Sequence, residues 1–160
     1  MAAPSSAARA IAPEDLTAAR ALLSADTAAA RYLERARTIV EDAAAGSREH
    51  LALVTGNARE LRGIVLFGPV AGSDGAAAIS AVTVLEPRRR RGVASALVGA
   101  ACAALQSHGA RLVVAELADD PALAAVHGLL AKCGFAEGGR VKDFYGKGTD
   151  LVVLERRLTP

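Results

Sequence analysis

Large side chains are scarce in this sequence. It has no tryptophan, one methionine, two tyrosines and three phenylalanines. Yet 52% of its residues are hydrophobic, so the core has to be built from Ala, Leu and Val. Small side chains allow helix and sheet backbones to approach closely. An excess of one charge is also missing. The formal net charge is only +2, which argues against a general nucleic-acid or membrane surface. No apolar run reaches the length of a membrane span. The first residues, MAAPSSAARAIAPEDL, lack the charged-then-apolar order of a secretion signal. Only two cysteines occur, Cys102 and Cys133, without metal-ligand or redox spacing. Both fall in predicted helices and read as small apolar fillers, in keeping with a reducing, cytoplasmic setting. His50, His108 and His127 form no metal pattern, so no metal is expected. Gly-x-Ser-x-Gly and internal repeats are absent.

The 160 residues suit one domain with a real core. Residues 1–8 are expected to be a flexible tail, and 9–160 the single domain. A short strand is expected around Ile11. A helix follows from Pro13, where Glu14 and Asp15 suit the positive end of its dipole. Tyr32, Leu33, Ala36, Ile39 and Val40 recur at helical spacing, predicting a second helix over about 28–45. HLALVTG, LRGIVLFGPV and AAISAVTVLEP read as strands. The longest helix is predicted over about 92–108, then the strand ARLVVAEL. A helix capped by Asp119 or Asp120 comes next, and two last strands follow. This order predicts an α/β fold with a mixed sheet covered by helices.

Arg88 to Arg91 stand immediately before Gly92, between a strand and the longest helix. The first N–H groups of a helix have no intrahelical partner, and the dipole adds partial positive charge there. Such a terminus suits an anion, above all a phosphate. Gly92 lets the backbone approach a ligand, Ala94 keeps the first turn bare, and the arginines add charge-assisted contacts. The alternative is a solvated arginine cluster before an ordinary helix.

Arg89-x-x-Gly92-x-Ala94 resembles the Q/R-x-x-G-x-G/A signature of the GNAT superfamily of acyl-CoA-dependent N-acyltransferases. VTVLEPRRRRGVASALV is similar to that family's strand–loop–helix, and ARLVVAEL to its next strand. LLAKCGFAEGGRV is similar to its helix ending in Gly-Phe. DFYGKGTDLVVLERRL resembles the D-[FY]-Y-x-x-G-x-D segment of one bacterial branch. The resemblance is good over roughly 76–158.

It implies a mixed, mostly antiparallel sheet of six to seven strands, with splayed parallel strands in the middle and helices on both faces. It implies acetyl-CoA as cosubstrate, with the main chain of Arg91, Gly92, Val93 and Ala94 on the pyrophosphate and Arg89 and Arg90 beside it. The backbone of Val82, Thr83 and Val84 would pair with the pantetheine arm. The reaction would be direct attack of a primary amine, from a small molecule or a protein, on the thioester. A main-chain N–H, that of Val84 for example, would polarise the carbonyl.

The family's usual acid, a Tyr four residues before the Gly of Gly-Phe, is replaced by Leu130. Leu123 stands where a polar residue is common. Leucine donates no proton. Glu116, at a strand end, and Tyr145, near the last turn, are the candidate catalytic groups. His127, Asp143 and Asp150 are weaker candidates. A second reading follows from the two leucines: an acyl-CoA-binding module of the same fold without turnover. A nucleic-acid module would need basic and aromatic residues spread over one face, which are not present. The last strands could pair between subunits, leaving a homodimer open.

Overall fold

The computed structural model describes residues 7–85 and 92–159. Seven strands form one sheet in the order β1-β2-β3-β4-β5-β7-β6. They are β1 (Arg9–Ala10), β2 (Leu51–Asn57), β3 (Glu60–Pro69), β4 (Ala76–Val84), β5 (Leu112–Ala118), β6 (Ala136–Gly146) and β7 (Thr149–Arg157). The helices are α1 (Leu16–Ala25), α2 (Leu33–Ala44), α3 (Val93–Ser107) and α4 (Ala124–Lys132). All neighbouring strands are antiparallel except β4 and β5. The expected mixed sheet with helices on both faces is what forms.

Two apolar layers explain why these segments pack so. In one, Leu97, Val98, Ala101, Cys102 and Leu105 of α3 meet Val65 and Phe67 of β3 and Val113 and Ala115 of β5. In the other, Leu22, Leu23, Ile39 and Val40 of α1 and α2 meet Val54, Ile64 and Leu66. The central strand β3 is therefore covered on both faces and reads as a continuous apolar run. The small-residue sequence has a direct use here. A Cβ placed on Gly63 would lie 2.8 Å from Leu97 Cδ1 and 3.2 Å from Val93 Cγ1, so a larger residue there would displace side chains of α3.

Asp15 does more than face a helix dipole. Its carboxylate is fully buried and takes a two-pronged contact from Arg9, at 2.7 and 2.8 Å. It also accepts the N–H of Ala12 at 2.8 Å. The Arg9 guanidinium, chiefly by hydrogen bonding, holds the Asp15 carboxyl below its usual pKa. The pair ties β1 to the entry of α1. Cys102 is buried within α3, whereas Cys133 lies just beyond the end of α4 rather than inside it. Burial pushes the Cys102 thiol pKa up.

Candidate active site

The parallel pair β4–β5 is short. It joins only Ala76 to Leu112, Ala77 to Val113 and Ala78 to Val114. Beyond Ala78 the two strands part, β4 remaining paired to β3 and β5 to β7. A bulge accompanies the parting. Leu66 pairs with Ala81 while the next residue, Phe67, pairs with Ile79, so Ser80 is an extra residue in β4. A bulge bends and twists the strand that carries it.

The bulge also inverts the alternation of side chains. Ala77 and Ile79 face α3, and so does Val82. Ala81 turns instead to the α1–α2 layer. Thr83 follows it, and its hydroxyl donates to Asp26 Oδ2 at 3.0 Å. Main-chain groups alternate too. Leu85 N–H donates to Arg62 in the β3 direction at 2.8 Å. The main-chain groups of Val82 and Val84 are therefore turned to the opposite edge, toward the gap. On β5, Asp119 N–H donates to Asp150 next to β7. Glu116 and Ala118 consequently direct their main-chain groups into the gap from the other side.

Ala118 shows how the end of the gap is closed. With no strand opposite, its N–H donates to the Tyr32 hydroxyl at 2.8 Å, and its carbonyl accepts from His127 Nε2 at 3.0 Å. Tyr32 thus pins the start of α2 to the end of β5. Tyr145 of β6 meets the Tyr32 ring edge-on, with centroids 6.1 Å apart. The Arg31 guanidinium carbon lies 5.1 Å from the centre of the Tyr145 ring. Burial, then the hydrogen bond to Tyr32, pushes the Tyr145 pKa up to about 12, with the Glu116 charge contributing. Tyr145 is accordingly an un-ionised phenol at neutral pH.

A cleft occupies the gap on the α1–α2 side. Asp26, Tyr32, Leu33, Thr83, Leu117 and Leu123 are among its walls. Glu116 is exposed on β5 next to Tyr145, while its neighbour Leu117 is the one lining the cleft. Leu130 is 1% exposed and Leu123 2%, so both are packed residues. Asp143 and Asp150 are engaged in the last hairpin. Asp150 Oδ1 accepts from Asp143 N–H at 2.9 Å, and Asp143 Oδ1 from Gly148 N–H at 2.7 Å.

At the start of α3, Gly92 has φ +75°, a left-handed conformation that glycine adopts without penalty. No described atom lies within 4 Å of where a Cβ would stand. Among the described residues, Ala96 N–H is the first to bond back, to Gly92 at 3.0 Å. The amides of Val93 and Ala94 precede it, at the end of α3 that carries partial positive charge. Arg89, Arg90 and Arg91 lie outside the described residues.

The gap between the parallel strands thus lies beside the start of α3. The family model described as the acetyltransferase (GNAT) family matches residues 16–135. The chain belongs to this family of acetyltransferases. It is therefore classed as an acyltransferase. No curated protein matches the sequence significantly.

Among solved structures, it is similar to a protein described as a GNAT-family acetyltransferase from Desulfovibrio desulfuricans. The TM-score is 0.86 at 19% identity, over 96% of this chain and 99% of that one. The aminoglycoside 6'-N-acetyltransferase of Enterococcus faecium gives 0.78 at 16% identity, over 96% and 98%. Another aminoglycoside 6'-N-acetyltransferase, solved with coenzyme A, gives 0.76 at 16%, over 91% of each chain. At these identities the likeness establishes the GNAT fold.

Three features were not anticipated from the sequence. Nothing in the sequence singles out Asp26, Tyr32 stands there only among residues at helical spacing, and the bulge leaves one local mark, the polar Ser80 inside AAISAVTV.

Proposed function

We propose that this GNAT member transfers an acetyl group from acetyl-CoA to a primary amine by direct attack on the thioester. The observation that carries the reading is the parting of β4 from β5 after three residue pairs, beside the open start of α3. An extended arm with amide groups fits such a gap, because the gap offers main-chain donors and acceptors at strand spacing. Val82 and Val84 would meet that arm from β4, with Thr83 between them holding Asp26. A main-chain N–H on this edge would polarise the thioester carbonyl. Gly92, Val93 and Ala94 would receive the diphosphate through their amides, with Arg89, Arg90 and Arg91 adding charge.

The amine has to be neutral to attack, and the departing thiolate needs a proton. Glu116 would take the amine's proton through water. Leu130 cannot supply a proton, and the phenols nearest the cleft are Tyr32 and Tyr145. Tyr32 oxygen already accepts from Ala118 N–H, and the Tyr145 ring meets the Tyr32 ring edge-on. With its oxygen accepting from Ala118, the Tyr32 hydroxyl keeps its own hydrogen to donate, and Tyr32 lines the cleft. Tyr32 would then serve as the acid, with Tyr145 backing it. Charge left on the Tyr32 oxygen would meet the Ala118 N–H already in place.

Calorimetry with coenzyme A, followed by thiol release from acetyl-CoA across polyamines, amino acids, aminoglycosides and peptides, tests this. Saturable binding and release that depends on an added amine are expected. Absence of binding removes the proposal. Binding without turnover on every amine would instead favour an acyl-CoA-binding module.

A further inference from the structure

The acceptor's chemistry can be read from the cleft. We infer that it takes a compact amine with one positive charge, the ammonium on Asp26 and a short aliphatic body against Leu33, Leu117, Leu123 and Val126. The inference rests on the acetyl-transfer reading above and narrows its substrate.

Asp26 is the only charged side chain among the described residues lining the cleft. It ends α1, and Thr83 across the gap donates to its Oδ2 at 3.0 Å. Thr83 is itself buried, so the carboxylate is held in one orientation. Among the described residues nothing donates to Oδ1, which remains for a cation. A charge-assisted contact of this kind is strong where water is partly excluded.

The remaining walls are aliphatic apart from the hydroxyls of Tyr32, Ser80 and Thr83. They favour an apolar body and offer nothing to a second ammonium. Of the nearby carboxylates, Glu116 is given to the proton of the attacking amine in the reading above, and the others are engaged. Asp120 is paired with Arg31 at 3.1 Å, and Glu34 with Arg37 at 3.2 Å. Asp119 and Asp150 are both held by Arg140, at 2.7 and 3.0 Å. A polycation such as an aminoglycoside would bring further charges into the cleft, beyond those that Asp26 and Glu116 can meet. An unpaired charge in apolar surroundings is strongly disfavoured.

The test is steady-state thiol release from acetyl-CoA with isopentylamine, spermidine and tobramycin. The intact protein should use isopentylamine with kcat/KM at least tenfold above either polycation. Asp26→Asn should raise KM for isopentylamine about tenfold or more, with kcat little changed and the Kd for coenzyme A unaltered, as expected for loss of a charged ground-state contact. Asp26→Glu should recover part of that loss.

Tobramycin or spermidine as the better acceptor would overturn the inference. So would an unchanged KM in Asp26→Asn, or no turnover of isopentylamine while coenzyme A still binds. The ranking of acceptors needs no variant, so a misfolded one cannot hide a wrong answer. Failure of coenzyme A to bind the intact protein would instead take down the transfer reading, and this one with it.

Discussion

Gly92 separates folding from binding more cleanly than any other position. Its φ of +75° costs an ordinary L-residue about 1–2 kcal/mol, while Asn and Asp tolerate that conformation better. A Cβ there meets no described atom within 4 Å, so no clash adds to this. An aspartate at the start of α3 also gains about 0.3–1 kcal/mol from the helix dipole. Gly92→Asp and Gly92→Asn should both fold, within about 1 kcal/mol of the parent in urea denaturation.

Their affinities for coenzyme A should differ. One added negative charge about 5 Å from a diphosphate charge costs about 0.8 kcal/mol at the dielectric constant of water and about 3.3 kcal/mol at an effective 20. That is about 4-fold to about 250-fold in Kd for Asp relative to Asn. Calorimetry with coenzyme A at low salt measures it, and added salt should narrow the difference. Pantetheine, which lacks the diphosphate, is the control and should bind both variants alike. Equal coenzyme A affinity for Asp and Asn, or an equal loss for pantetheine, would refute placement of the diphosphate at this helix start.

Arg9→Ala should destabilise the fold by about 3 kcal/mol in urea, because it leaves the buried Asp15 carboxylate without its counter-charge. The folded pKa of Asp15 is depressed. Its contribution is therefore fully present above the unfolded value, near 3.8, and is lost as pH falls through the folded value. Acid unfolding should shift least in the variant already lacking the pair. Tyr32→Phe should lower kcat about tenfold to a hundredfold with coenzyme A affinity retained, and stopped-assay thiol release reads it. It would also free the Ala118 N–H, so thermal melting should be run alongside. Glu116→Gln should reduce turnover most near neutral pH, and an unaltered pH–rate profile would remove Glu116 as the base.

Local chemistry made much of this protein legible before its fold. Short apolar runs located the strands, and the Gly-Phe pair at Gly134 and Phe135 marked a helix end, because such signals act over a few residues. Gly92 was legible for the same reason: a small residue between a strand and a helix is a local arrangement. Of the two expected caps, Asp119 and Asp120, it is Asp120 whose side chain accepts Ala122 N–H at 2.9 Å. The two leucines at positions 123 and 130 also told their story early, since leucine carries no proton wherever it lies.

Other features depend on partners far away in sequence. Asp26 looks like any acid after a helix until Thr83, 57 positions on, reaches it. Tyr32 gains its place only from Ala118, 86 positions away. The extra residue at Ser80 decides which side chains of β4 face which layer, and its register is set by β3 rather than by β4 itself. Composition and periodicity thus determined the elements, the small-residue core and the open helix start, all products of short-range forces. The cleft, the Asp26 charge on its wall and its neighbouring phenols came from tertiary structure alone, because each needs two strands to part and distant side chains to fill the space between them.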